Sequence, residues 1–479
     1  MKRLVIGLVV AVLVCVAASA VAQTAEEWFD RGYNYGEKGN YENAIECYTN
    51  VIKLDPGYTL AYNNRGWNYD KLGRYEEAIA DYTKAIELDP GYALAYNNRG
   101  CVYNELSRYD EALTDYTKAI ELDPEDMDAY NNRGLAYDEL CRYEEAIADY
   151  TKAIELDSGY VYSYYNRGNS YSDLGSYDEA IADYTKAIKL DKRYALAYNN
   201  RGWVYNELGR YDEAISDHTK AIKLDPRYVY AYNNRGNSYR DIGRYDEAIS
   251  DYTKAIELDP GYELAYKNRG WVYDELGRYN EAISDYTKAI ELDPGYVYAY
   301  NNRGRAYNKL CRYDEAIADY NRAIELDPMY ALAYNNRGNS YSYLGSYDEA
   351  IADYTKAIEL DSHYASPYNN RGWAYYMMGD NTRALEDVSI ALNLDPDDAE
   401  TLDTRANVYR ELERYDEAMA DIERCFKILP GDAWWNYTRG LIYRDMGEIE
   451  KARVDLTTAC EEGIDEACDA LKGMGKKGR

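Results

Sequence analysis

The chain has 479 residues, a formal net charge of -31 at pH 7, 29% charged and 46% hydrophobic residues. Acidity on that scale argues against nucleic acid or anionic lipid as a partner. Two histidines are too few for most acid-base schemes, and eight cysteines without a C-x-x-C pair do not set the fold.

In chain order, residues 1–22 come first. Lys2 and Arg3 precede an apolar run from Leu4 to Ala18, and Ala20-Val21-Ala22 follows. This is the layout of a secretory signal peptide with a small-x-small cleavage site, giving a mature chain from Gln23. The alternative is an uncleaved membrane anchor. Either way the remainder is exported, to a periplasmic or extracellular place.

From Ala25 to Glu466 one unit recurs, typified by Thr59–Tyr92, TLAYNNRGWNYDKLGRYEEAIADYTKAIELDPGY. The Arg of its Arg-Gly pair returns every 34 residues from Arg31 to Arg439, giving thirteen copies without an insertion. A fixed period of this length predicts an all-α solenoid in which each unit buries its apolar face only against its neighbours. Each unit reads as two helices. Tyr62, Gly66, Tyr69 and Leu72 form the stripe of the first; Ala78, Ile79, Tyr82, Ala85 and Ile86 form that of the second, with Glu76, Glu77, Asp81, Lys84 and Glu87 assigned to its other face. Gly73-Arg74 breaks the pattern between the helices, and Asp89-Pro90-Gly91 breaks it between copies.

Counting Thr59 as position 1, position 8 is Gly in every copy except at Ala406, and position 20 is always Ala. Such small residues predict a close helix-helix crossing, with tyrosine rings filling the space beside it. There are 60 Tyr against 2 Phe, and a hydroxyl lets each ring end at water or a polar group of a thin, two-layer protein.

Together, the period, the aromatic at Tyr62, Gly66, Tyr69, Ala78, the aromatic at Tyr82, Ala85 and Pro90 resemble the tetratricopeptide repeat. The resemblance implies an alpha-alpha superhelix of antiparallel helix pairs, whose concave groove is lined by the first helix of each pair and binds other polypeptides. Two departures stand out: Arg65 and its counterparts occupy a place that is Leu in the family, and Pro90 has no counterpart at Ser158, Lys192, Ser362 or Ile464.

Positions 2, 6, 9 and 13 form one stripe on the first helix. Position 6 is asparagine ten times running: Asn64, Asn98, Asn132, Asn166, Asn200, Asn234, Asn268, Asn302, Asn336 and Asn370. An amide offers donors and an acceptor matched to a peptide backbone, and in the family this place grips ligand backbone. The competing reading is that each Asn bonds a carbonyl of the neighbouring helix and holds the stack together. Position 9 varies and includes Trp67, Trp203, Trp271 and Trp373; an exposed Trp needs a partner or a neighbouring helix to cover it.

The ends diverge. Trp28 and Phe29 open the first copy, and position 4 becomes Leu402 and Asn436 in the last two. Residues 467–479 read as a short capping helix, Cys468–Leu471, and a basic tail. Cys460 and Cys468 are close enough to form a disulfide, against the alternative of two free thiols. His218 stands where other copies have the packed Tyr and reads as a core ring, whereas His363 lies in a loop. Gly473, Gly475 and Gly478 spell G-x-G-x-x-G by chance, with no strand before them. The sequence points to a non-enzymatic protein-binding scaffold without cofactor or metal. A self-associating envelope spacer and the regulatory subunit of an enzyme complex are the alternatives.

Overall fold

The computed structural model describes residues 24–476; the signal or anchor segment falls outside them. The described residues form thirteen antiparallel helix pairs and one final helix, with no strand among them. The chain divides between Ser238 and Tyr239 into two compact units. The first holds repeats 1–6 and most of the opening helix of repeat 7. The second begins in the last turn of that helix and runs through repeats 8–13. Within each unit a helix packs on the helices before and after it, and the first helices of successive repeats touch.

Local rules set the helix ends. The first helix of repeat 2, Thr59–Lys71, stops because Gly73 turns left-handed at φ 70°, its N–H donating to the Asp70 carbonyl while the Arg74 N–H reaches back to Tyr69. Ser107, Cys141, Cys311 and Glu413 accept the same left-handed turn, at a cost of about 1 kcal/mol each relative to Gly. The second helix, Tyr75–Leu88, ends at the extended Asp89, whose carboxylate accepts the N–H of Gly91 at 2.9 Å. Asp157, Asp191 and Asp361 accept in the same way from Gly159, Arg193 and His363. The bend therefore survives at Ser158, Lys192 and Ser362 without proline, held by the aspartate before it.

The small residues mark the crossing within each pair. A Cβ built on Gly66 would lie 3.0 Å from the Tyr82 ring, and one on Gly134 would lie 2.6 Å from the Tyr150 ring. Tyr82, Tyr150 and their counterparts are completely buried beneath those glycines, as is His218 beneath Gly202. Ala78 and Ala85 are sealed on the same helix, and the next repeat closes the cluster with Val102. Burying each ring contributes about 2 kcal/mol of apolar transfer.

Asp81 is not on the outer face where the periodicity puts it; it is 6% exposed. The cause is Arg65, the residue that departs from the family pattern. Its Nε and Nη2 each donate at 2.7 Å to the two Asp81 oxygens, and its Nη1 donates to Thr49 of the preceding repeat at 3.0 Å. Burial opposes the charge on Arg65, but the bonds and charge of Asp81 outweigh it and hold the guanidinium above its usual range. The rings of Tyr62 and Tyr69 sit at 5.7 and 5.9 Å on its flanks. The same clamp recurs at Arg99, Arg133, Arg167, Arg201, Arg269, Arg303 and Arg371. A fork of this kind satisfies both carboxylate oxygens while its third arm ties one repeat to the last. Repeat 1 lacks it: Cys47 stands in the aspartate's place, and Arg31 turns outward to the Tyr35 hydroxyl.

The closing repeats are more aliphatic. Leu392, Leu402, Ala406, Ile422, Trp435 and Ile442 form one continuous core. The final helix spans Asp465–Lys476, longer than the expected Cys468–Leu471. It starts earlier because Gly463, at φ 98°, ends the helix before it, and it takes in part of the basic tail. Ala467 packs against Leu441, Leu456 and Ala459, and a disulfide joins Cys460 to Cys468.

Candidate functional site

The stripe at positions 2, 6, 9 and 13 lies on the face that the first helices share. The ten position-6 asparagines are half-buried or buried there, and most are engaged. The Asn98 side-chain nitrogen donates to Asn63 Oδ1 at 3.1 Å, that is, to position 5 of the preceding repeat. Asn132, Asn166, Asn234, Asn336 and Asn370 donate to Asn97, Asn131, Asn199, Asn301 and Asn335 in the same way. Asn200 finds Tyr165 at that place, and Asn64 finds Tyr48. The amides thus form a side-chain ladder from repeat to repeat, whose acceptors are side-chain carbonyls except for the Tyr165 and Tyr48 hydroxyls.

The ladder spends most of the amide capacity. Asn200 gives its second N–H to Asn169 Oδ1 at 3.0 Å and accepts from Asn199. At repeat 8 Lys267 replaces the position-5 acceptor, and Asn302 accepts from Asn301 at 3.3 Å and lines the compartment at Trp271. The signal for the ladder is the doublet Asn63-Asn64, which recurs in eight of the ten repeats that carry Asn at position 6.

Between these amides lie compartments floored by position-9 side chains. One, of about 380 Å3, is lined by Asn169, Ser172, Asp173, Asn200, Trp203 and Asn234. A second, of about 620 Å3, is lined by Arg240, Asp241, Lys267, Trp271, Tyr298 and Asn302. A third, of about 270 Å3, includes Glu37, Asn64, Trp67 and Asn98. Neighbouring tyrosines meet the tryptophans edge-on, Tyr41 on Trp67 at 5.9 Å, Tyr177 on Trp203 and Tyr245 on Trp271 at 6.4 Å. Trp373 leans on Tyr376 at 5.2 Å. That cover is partial, since Trp203 stays 40% and Trp373 37% exposed. Tyr162, Tyr230 and Tyr298, at position 2, are each more than half exposed on the same stripe.

The two histidines are not on this face as a pair. Neither His218 ring nitrogen has a hydrogen-bond partner, and burial, with the charge of Arg235, pulls its pKa down to about 3. His363 lies exposed in a turn. In repeat 12 burial pushes the Asp403 carboxyl up to about 7, with the Thr438 hydroxyl and Arg410 acting against it.

A tetratricopeptide repeat model matches residues 25–58, 59–92, 128–160, 161–194, 195–228, 229–262, 264–296 and 297–330. Related repeat models match 81–114, 100–140, 319–352, 338–379 and 399–431. No curated protein matches. Among solved structures, the Cut9-Hcn1 hetero-tetramer of the APC/C is 16% identical over 96% of this chain and 97% of that one, with a TM-score of 0.49. A tetratricopeptide repeat protein from Parabacteroides merdae is 24% identical over 52% and 98%, with a TM-score of 0.43. MamA is 31% identical over 36% and 93%, with a TM-score of 0.33.

Proposed function

The chain belongs to the tetratricopeptide repeat family, typically non-catalytic scaffolds for protein-protein interaction, and from that premise we propose that its first-helix face is a groove that binds an extended polypeptide. The observation that carries this reading is the set of compartments at Trp67, Trp203 and Trp271, each framed by amides and by a charged residue. Large rings left partly uncovered beside polar groups are the usual anchors of a protein interface. The ladder gives the groove a rigid floor, and the variable position 9 supplies side-chain selectivity. The amides with capacity to spare, such as Asn302, hold ligand backbone.

We further propose that the chain acts outside the cytoplasm, because Lys2-Arg3 and the apolar run to Ala22 direct export. The mass of the chain from its native source checks this: a start at Gln23 supports cleavage, whereas a start at Met1 supports an anchor.

The groove is tested by capturing partners from the native envelope fraction on the full chain, then repeating the capture with Trp203→Ala and Trp271→Ala. A stoichiometric non-self partner that the variants bind at least about tenfold more weakly, with unchanged helicity, supports the groove. Capture unaffected by both changes removes it, and recovery of the chain itself alone favours the envelope spacer.

A further inference from the structure

The compartment at Trp203 recurs two repeats later at Trp271. Asn200, Trp203 and Asn234 correspond to Asn268, Trp271 and Asn302, and Asp173 corresponds to Asp241. Two lining positions differ: Ser172 becomes Arg240, and Asn199 becomes Lys267.

In the later copy the protein fills the place with its own side chain. Arg240 donates from Nε to Asp241 Oδ1 at 2.8 Å, and its guanidinium carbon lies 5.5 Å from the centre of the Trp271 ring. A carboxylate at the edge of a guanidinium and an indole against its face is a complete recognition unit for that group. The compartment at Trp67 shows a related solution, with the Lys71 ammonium 5.4 Å from the ring centre.

The earlier copy keeps the same carboxylate and indole but supplies no cation. Among the described residues Asp173 has no ion pair, and no Lys or Arg lies over Trp203. Ser172 is too short to take the place of Arg240, and the compartment of about 380 Å3 beside the ring has no side chain in that role. Around it the field is negative: Asp138 and Asp173 repel one another, and the groups that answer Asp138 are the neutral hydroxyls of Tyr150 and Ser170. Trp203 is also more exposed than Trp271, as a ring without its cation should be.

We propose that the Asp173–Trp203 compartment binds the guanidinium of an arginine side chain presented by a basic polypeptide partner, in the pose that Arg240 adopts against Asp241 and Trp271. This rests on the reading of the first-helix face as a polypeptide groove. The ligand is arginine rather than lysine because a planar fork bonds the carboxylate along its edge while its face lies on the ring. An acidic chain of net charge -31 suits such a partner and speeds its encounter.

The test uses the full chain and fluorescein-labelled Gly/Ser peptides carrying one central arginine or its uncharged isostere citrulline, with binding read by fluorescence anisotropy. Wild type should bind the arginine peptide at least about tenfold more tightly than the citrulline peptide. Asp173→Asn should erase that preference. Ser172→Arg should erase it too, with an unchanged thermal midpoint, because it supplies from within the side chain that the later copy already has. Joint Arg240→Ser and Lys267→Asn should open a second arginine site. Equal binding of the two peptides by wild type, or a preference that survives Ser172→Arg, would overturn the proposal. If both peptides bind equally and Trp203→Ala weakens both, the groove stands and the arginine site falls. If neither peptide binds and the tryptophan variants still capture the native partner, both fall.

Discussion

Repeats 10 and 12 lie in the same unit and fold alike, yet their interiors differ. In repeat 10 the Tyr354 ring lies under Gly338, at 2.7 Å from the Cβ that glycine lacks, and Asn336 continues the ladder to Asn301. In repeat 12 Ile422 takes the ring's place, Ala406 replaces the glycine, and Thr404 bonds within its own helix to the Glu400 carbonyl. The arginine fork is common to both, Arg337 on Asp353 and Arg405 on Asp421. The crossing in repeat 12 thus accepts Ala406 where no ring lies beneath, although Gly372 and Gly440 stay glycine over Val388 and Leu456; the ladder is dispensable to the pairing of these helices, and both repeats keep the ion pair.

The comparison breaks most sharply at that ion pair. Arg337→Ala and Arg405→Ala should each cost about 3 to 5 kcal/mol, since each strands a buried aspartate. Chemical denaturation should find them alike. A loss below 1 kcal/mol in either would reduce the fork to a surface contact. Arg31→Ala, which strands no carboxylate, is the control and should change little.

Next in size is the ring. Gly338→Ala should cost about 1 to 3 kcal/mol by overpacking against Tyr354. The penalty should shrink in a Tyr354→Ile background, where a double-mutant cycle gives the coupling. Equal penalties in both backgrounds would locate the need for glycine elsewhere.

Ladder substitutions should be smaller. Asn336→Ala leaves the Asn301 oxygen without its cross-repeat donor and should cost about 1 kcal/mol, whereas Thr404→Ala, in a repeat without a ladder, should cost less. Thermal midpoints of the two variants decide it, with equal shifts counting against the ladder.

His218 sharpens the same comparison through pH. It occupies the ring position of repeat 6, and burial holds its folded pKa near 3 against an ordinary 6.5. Between those values the unfolded chain binds more protons than the folded one, so this contribution is complete above pH 6.5 and is lost as the pH falls toward 3. His218→Tyr should leave stability near pH 7 the same or slightly higher and flatten the decline on the acid side. An unchanged acid profile would show that other groups govern it.

Much of this was legible in the sequence because the period does the reading. The helix pairs, the small residues at positions 8 and 20, the buried ring at Tyr82 and the core place of His218 all follow from register. The fork did not, because Asp81 sits among Glu76, Glu77 and Lys84 on a helix whose charges otherwise face water. Its partner Arg65 lies on another helix, 16 residues away. The ladder was half legible: an amide row is visible in sequence, but whether it bonds a ligand or its own neighbour depends on the distance between adjacent first helices. The Trp203 and Trp271 compartments were hidden for a related reason, since each draws residues from successive repeats and a linear stripe describes only one.

The separations in the fork and the ladder also govern the order of assembly. In the full clamp the arginine finds its aspartate 16 residues ahead and its threonine 16 behind, and the ladder reaches back 35. With contacts this local, closing any one of them spends little chain entropy, and no step waits for the far terminus. A chain emerging amino-end first can therefore finish one repeat while the next is still arriving, advancing like a ratchet whose teeth, after the first repeat, are arginines that have found their carboxylates.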